Sequence, residues 1–233
     1  MLFKLRKELR TLVNPEKAKL LQRFFKTGKG QYGEGDIFLG ITVPEQRKLS
    51  KKYDLKLKDI NILLDSKIHE ERLTGLLILI KNYNYAEEKE KKEIFNFYMS
   101  KADRINNWDL VDLSAPKIVG HYLFHHKEET KKIYGFAKSN NLWKKRIAIV
   151  STSYFIWKNQ FDDAIAISEI LLNDEHDLIH KAVGWMLREI GKKDKKILEN
   201  FLNENYKDIP RTSLRYAIEK FPEDERKKWL KVK

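Results

Sequence analysis

The chain has 233 residues, of which 42% are hydrophobic and 12% are aromatic, and it contains no cysteine. This apolar content can supply a core, and the lack of cysteine excludes disulfide bonds, thiolate catalysis and cysteine-bound zinc. The formal net charge of +13 favours a polyanionic partner, nucleic acid before an anionic membrane surface, although a general lysine bias would also produce it. Residues 1–6 do not resemble a signal peptide and no apolar run could span a bilayer, so we expect a soluble cytoplasmic protein.

Two helix-start signals occur in the first 50 residues. Asn14-Pro15-Glu16 predicts a helix through Phe25, and Thr42-Val43-Pro44-Glu45 predicts the start of another. The glycine-rich stretch Gly28–Asp36 lies between them and matches the letters of a dinucleotide-binding fingerprint. That fingerprint needs a strand before it, whereas a helix precedes it here, and no Gly-Lys-Ser/Thr is present. We therefore interpret the stretch as a loop between helices.

From about residue 55 onward, apolar residues recur at helical spacing without a convincing strand pattern. Short blocks recur after 37, 37, 34 and 35 residues, each with a polar residue two positions before a small or branched one. The polar residues of these blocks are Arg72, Asp109, Arg146, His180 and Arg215. A helix-pair period of this size predicts an all-α, HEAT-like or armadillo-like solenoid with a concave basic groove. We expect one domain over residues 1–233, with N-terminal helices in 1–54 and helix pairs in about 55–233.

Residues 106–116 hold the strongest candidate site. In a helix, Trp108 and Asp112 lie four residues apart on one face, and an unpaired carboxylate buried there would be expensive. The pair therefore fits the edge of a groove, where Asp112 faces a developing cation and Trp108 packs on a sugar. Pro116 has no N–H for the carbonyl of Asp112, so we expect the helix to break or kink after the carboxylate. Asp109 is the competing carboxylate, which we interpret as a helix-start acid favoured by the macrodipole.

Basic and aromatic residues share the inner helices that the repeat register predicts. Arginines bind phosphates and aromatic rings meet sugar or base faces, so this mixture is typical of a nucleic-acid groove. The residues in question are Trp143, Arg146, His180, Lys181, Trp185, Arg188, Arg211 and Arg215. Taken singly, Trp143 and Trp185 are better explained as core residues. His180 is either a phosphate contact or a helix-packing residue.

Several ordered motifs carry a family resemblance. They are Phe38-Leu39-Gly40-Ile41 with Pro44-Glu45, Trp108-Asp109-Leu110-Val111-Asp112, and the stretches 142–149 and 181–189. Over most of the chain these motifs resemble the AlkD-type DNA alkylation-repair glycosylases, which are HEAT-like helical-repeat enzymes. The resemblance implies that Asp112 is the catalytic carboxylate and that Trp108 and Trp185 cradle the deoxyribose of the lesion. It also implies that Arg146 holds DNA phosphate.

Two positions depart from the family pattern. Phe24 stands where the family has a groove tyrosine, so the ring is kept without its hydroxyl. Asp177-Leu178 stands in place of an adjacent phenylalanine pair. We keep Phe24 among the residues expected to contact DNA, and we expect both departures to affect the range of lesions.

A cationic substrate explains how one carboxylate can suffice. Ordinary glycoside hydrolysis needs two carboxyl groups, whereas 3-methyladenine or 7-methylguanine carries a positive charge in DNA and departs neutral. We expect Asp112 to stabilise an oxocarbenium-like sugar and to align water on duplex DNA, and the resemblance implies that the base is not flipped. Alternatives are an ion pair that makes Asp112 structural, a non-catalytic protein for damaged, bent or branched DNA, and a protein–protein scaffold. We expect a monomer that uses no cofactor or metal, with His121 and His125 at the surface.

Overall fold

The computed structural model describes residues 1–231, which belong to two compact units, Met1–Ser114 and Ala115–Lys233. Both units are helical. No β-strand occurs in residues 1–231, where an isolated parallel bridge joins Ile37 and Ile68. The predicted all-α class is therefore confirmed, while the single domain over residues 1–233 stays a prediction. Over the same residues, no helix combines the length and the apolar character needed to cross a membrane.

The first unit is built from helices that we number in chain order. They are α1 (Leu2–Thr11), α2 (Pro15–Phe24), α3 (Val43–Lys52), α4 (Leu57–Leu64), α5 (His69–Tyr85), α6 (Glu88–Ser100) and α7 (Trp108–Ala115). Helix α5 packs against α3, α4 and α6, and its apolar residues, including Leu73, Leu76, Leu79 and Tyr83, are buried. Each such side chain contributes about 1.5–3 kcal/mol by leaving water. Helix α5 is therefore the core of the first unit.

Both predicted helix starts are confirmed. The Asn14 side chain accepts a hydrogen bond from the N–H of Lys17 at 3.0 Å, which caps α2. Thr42 and Glu45 form a capping box at α3, in which the Thr42 N–H donates to Glu45 Oε2 at 2.8 Å. The glycine-rich stretch between them follows a helix and contains no strand, as expected.

The second unit continues the numbering after a π-helical turn at Pro116–Gly120. Its helices are α8 (His121–His125), α9 (Lys131–Ala137), α10 (Leu142–Ser151), α11 (Ser153–Trp157), α12 (Asp162–Leu171), α13 (Asp177–Lys193), α14 (Lys195–Asn205), α15 (Arg211–Ala217) and α16 (Glu223–Lys231). Helix α13 packs against α15, and a Cβ on Gly184 would lie 2.5 Å from the Ser213 carbonyl oxygen. Only glycine permits that approach.

The repeat register places its five aligned polar residues in five different helices, α5, α7, α10, α13 and α15. The chain does not break after Asp112, because it stays helical through Pro116 and changes to a π-helical turn at Pro116–Gly120. The other form of this prediction, a kink after the carboxylate, stays a prediction.

Candidate functional site

The first turn of α7 is fixed by Asn107, which is fully buried. Its Oδ1 accepts a hydrogen bond from the N–H of Trp108 at 2.8 Å, and its Nδ2 lies 3.4 Å from Asp36 Oδ2. Trp108 and Asp112 are both partly exposed and lie four residues apart in this helix. Their shared face follows from that spacing, so the pairing predicted from the sequence is present.

Trp108 is the outer ring of an aromatic stack. Its indole lies 5.2 Å from the ring of Phe25, Phe25 lies 4.9 Å from Phe38, and Phe38 lies 4.4 Å from His69, with planes within 21° of parallel. We call Trp108, Phe25, Phe38 and His69 the aromatic stack. Phe24, which is 63% exposed, meets the indole edge-on at 6.0 Å. The structure thus brings Phe24 to Trp108, although the DNA contact expected of Phe24 stays a prediction.

Asp109 belongs to a buried charge network. Its Oδ2 lies 2.8 Å from His69 Nε2, and the other ring nitrogen of His69 lies 3.3 Å from Asp36 Oδ2. Arg72 donates to the same Asp36 oxygen at 2.5 Å and to the Ser66 carbonyl at 2.9 Å. Asp109 is thus a first-turn acid, as expected, and is also the partner of a buried histidine, which the sequence analysis missed.

The charges of this network shift the pKa values of its members. Burial alone would lower the pKa of His69, and the Arg72 charge acts in the same direction. The charge and hydrogen bond of Asp109, with the hydrogen bond to Asp36, outweigh them, so the His69 pKa is raised. Burial would likewise raise the pKa of Asp36, but hydrogen bonds and charges from His69 and Arg72 lower it. Both shifts favour an imidazolium between two carboxylates.

Tyr98 lies near Asp112, the candidate catalytic residue. It is fully buried, and its hydroxyl is 2.8 Å from Ser114 Oγ, which in turn donates to the Leu110 carbonyl at 2.5 Å. Burial raises the pKa of Tyr98; the hydrogen bond with Ser114 lowers it slightly, and the negative charge of Asp112 raises it further. The phenol of Tyr98 therefore stays neutral over the whole physiological pH range. Its pKa depends in part on the charge of the Asp112 carboxylate.

A cavity of about 370 Å³ opens beside the aromatic stack. Its walls are mainly apolar and include Leu20, Leu21, Ile41 and Leu73, while His69, Glu70 and Asp109 also line it. Glu70 is 1% exposed and holds the loop on one side of the cavity. No single sequence motif predicts this cavity, because its walls come from α2, the loop before α3, the start of α3, α5 and α7.

The first two predicted residues of the second unit are buried. Trp143 is 7% exposed, in keeping with the interpretation of this tryptophan as a core residue. Arg146 is 5% exposed, and its guanidinium donates to the Leu178 carbonyl at 2.6 Å. This hydrogen bond connects α10 to the start of α13. The phosphate contact expected of Arg146 stays a prediction.

The remaining predicted residues of the second unit are partly exposed, except Arg215, which is exposed. Lys181 pairs with Asp177 at 2.7 Å, and Arg188 pairs with Glu219 and, at 3.3 Å, with Glu189. The other three are His180, whose Nε2 contacts the Asp174 carbonyl, Arg211, which donates to the Leu230 carbonyl at 2.7 Å, and Trp185. Their expected roles toward DNA stay predictions.

Comparison with known proteins identifies the family. Residues 5–221 match the family described as DNA alkylation repair enzyme. A structure described as a predicted DNA alkylation repair enzyme from Enterococcus faecalis is similar, with 22% identity, a TM-score of 0.72, and coverage of 91% of this chain and 97% of that one. AlkD2 from Streptococcus mutans is similar at 20% identity and a TM-score of 0.57, with coverage of 95% and 97% respectively.

At these identities the two structures establish a shared AlkD-like helical-repeat fold, which confirms the repeat architecture expected from the sequence. No protein with curated annotation matches the chain. The family match spans nearly the whole sequence, including every element that forms the candidate site. The chain belongs to the DNA alkylation repair enzyme family.

Proposed function

We propose that this protein is a monofunctional DNA glycosylase that excises cationic N-alkylated purines, such as 3-methyladenine and 7-methylguanine, from duplex DNA in base excision repair. The observation that carries the proposal is the first turn of α7, where Asp112 follows Trp108 by four residues and both side chains are partly exposed. The other acid of this helix, Asp109, is paired with His69. One carboxylate beside an indole is what departure of a cationic base requires.

The chemistry follows from the charge that develops on the sugar. As the C–N bond lengthens, positive charge moves from the purine to the deoxyribose, and the base leaves neutral. A carboxylate at Asp112 stabilises that charge and orients water for attack on the sugar. The face of Trp108 adds a cation–π contact, worth about 0.5–2 kcal/mol. Phe24 widens this surface, since its exposed ring meets the indole.

DNA contacts are proposed for residues of the second unit. Trp185 is the second indole assigned to the lesion sugar, on the strength of its partial exposure and of the resemblance. The candidates for DNA contacts are His180, Lys181, Arg188 and Arg211, with Arg146, which is expected to hold phosphate, and Trp143 as the more buried members of the set. The net charge of +13 supports this assignment, because phosphate contacts require cations.

The experiment measures base release from methylated duplex DNA under single-turnover conditions. Replacing Asp112 by Asn keeps the shape and removes the charge, so we expect the rate constant to fall by about 10²–10³-fold, as for loss of a charge-stabilising group. Asp54→Asn is the matched control, because this exposed carboxylate pairs with Lys81 in the same unit. Circular dichroism and the urea midpoint establish that both variants fold.

Three outcomes separate the candidates. If Asp112→Asn releases the alkylated base as fast as the wild type does, Asp112 has no part in the mechanism. Salt-sensitive DNA binding without release of any alkylated base would replace the glycosylase with a non-catalytic DNA-binding protein. Weak binding to every DNA would favour a protein scaffold.

A further inference from the structure

His69 has no part in the chemistry proposed above, yet it is buried near the site between two carboxylates. It is 2% exposed, and each of its ring nitrogens faces a carboxylate oxygen, from Asp109 at 2.8 Å and from Asp36 at 3.3 Å. A neutral imidazole has one nitrogen without a proton and would turn that lone pair toward a negative oxygen. An imidazolium donates from both nitrogens and satisfies both contacts.

We propose that His69, as an imidazolium, is a positioning residue for the reaction: it holds Asp109 and thereby fixes the first turn of α7, which carries Trp108 and Asp112. This inference rests on the proposed glycosylase function. His69 is not itself a catalytic residue, because both of its ring nitrogens contact carboxylate oxygens, one of Asp36 and one of Asp109. Its effect on base removal runs through the placement of Asp112.

A second physical connection joins His69 to the same turn. Its imidazole stacks on Phe38, Phe38 on Phe25, and Phe25 on the Trp108 indole, with every ring-to-ring distance between 4.4 and 5.2 Å. A shift of His69 therefore reaches α7 both through the Asp109 ion pair and through the aromatic stack. Close-packed rings transmit such shifts, because the interior has little free volume to absorb them.

The charge state of His69 decides whether this support is present. The ionisable groups that face it are Asp109 from α7, Asp36 from the loop before Phe38, and Arg72, whose guanidinium lies 3.5 Å from Nδ1. The His69 pKa is raised above its ordinary value of about 6.5. The ion pair is therefore fully formed below that ordinary value and is lost as the pH rises through the higher pKa of the folded protein.

The first experiment measures single-turnover base release against pH for wild type, His69→Gln and His126→Gln. His126 is the matched control, since it also packs on an aromatic ring, Tyr122, and lies 3.5 Å from a carboxylate, Glu128. We expect the wild-type rate to fall as His69 loses its proton. His69→Gln should be about 10–100-fold slower at neutral pH and should lack this alkaline step, while saturation by DNA changes little. His126→Gln should follow the wild type.

All three proteins act on the same substrate, so any titration of the methylated base cancels in their ratio. A His69→Gln profile with the same alkaline step as wild type would overturn the positioning role. A His69→Gln variant that does not fold is replaced by Asp109→Asn. Removing the negative partner should move the alkaline step to lower pH, and an unmoved step would likewise overturn the role.

A second readout separates this inference from the glycosylase proposal. The ring nitrogens of His69 are titrated by ¹⁵N NMR, and the Trp108 resonance is followed by ¹⁹F NMR in protein labelled with 5-fluorotryptophan. We expect both signals to move with the same midpoint. Shared midpoints without base release would refute the glycosylase and leave the coupling of His69 to α7 standing. If the protein releases the base but the ¹⁹F signal of Trp108 does not change as His69 titrates, the coupling alone is refuted.

Discussion

Glu70 provides the sharpest test of how the loop beside the site is held. Its carboxylate is buried and accepts hydrogen bonds from the N–H groups of Leu39, Gly40 and Ile41 at 2.8–3.2 Å. The residue before them, Phe38, is an inner ring of the aromatic stack. We therefore predict that replacing Glu70 destabilises the first unit and loosens Trp108.

The magnitude follows from the three donors. Glu70→Ala leaves three buried N–H groups without an acceptor, at about 1–3 kcal/mol each, so we expect a loss of about 3–6 kcal/mol after partial relaxation. Glu70→Gln can keep all three bonds at its remaining oxygen, since Oε1 accepts from each of them. It loses the charge and turns an NH₂ group toward Leu39 N–H, so its expected loss is smaller, about 1–3 kcal/mol.

The assay is urea unfolding followed at Trp108, the sole tryptophan among residues 1–114. Labelling with 5-fluorotryptophan separates its ¹⁹F signal from those of the four tryptophans in the rest of the sequence, and Trp108→Phe assigns it. Glu16→Ala is the control, because this exposed glutamate pairs only with Lys19 across one turn of α2 and should change stability by less than about 0.5 kcal/mol. A loss below about 1 kcal/mol for Glu70→Ala would refute the reasoning.

Two further predictions concern Gly40 and Asp36 of the same unit, and the control for the first lies in the second unit. Gly40 has φ of +82° and a Cβ there would lie 2.1 Å from the Asn14 carbonyl oxygen, so Gly40→Ala should cost about 2–4 kcal/mol in urea unfolding. Gly135→Ala, with open space around its Cβ, should be neutral or stabilising. Because the Asp36 pKa is lowered by folding, its stabilisation is present above the unfolded value of about 3.9 and lost as pH falls through the folded value, which acid titration of Asp36→Asn against wild type measures.

The sequence predicted those features that depend on local pattern. Capping residues specify where a helix begins within a few residues of chain, so Asn14 and Thr42 were sufficient to place α2 and α3. The repeat register was equally local, because each block needed only its own apolar spacing to be assigned to a helix. The pairing of Trp108 with Asp112 follows from the same arithmetic, since four residues are one turn.

The buried network could not be predicted, because its partners are brought together by tertiary packing. Asp36 and Asp109 are 73 residues apart in the chain, and both meet His69. Nothing near His69 in the sequence distinguishes it from an ordinary helix-start residue. The π-turn at Pro116 was missed for a related reason: a missing N–H shows that the regular hydrogen bond is lost, but not how the helix compensates.

Asp109 and Asp112 lie three residues apart in α7, and we assign them different roles. A step of three residues rotates a helix by about 300°, so Asp109 and Asp112 point about 60° apart around the helix axis. Asp109 faces α5, where its contact with His69 offsets the free-energy cost of burying the carboxylate charge. Asp112 lies four residues after Trp108, on the same side of the helix, and both residues are partly exposed. Under the proposed function, α7 therefore carries one acid that is paired with His69 and a second, Asp112, that stabilises the charge on the lesion sugar.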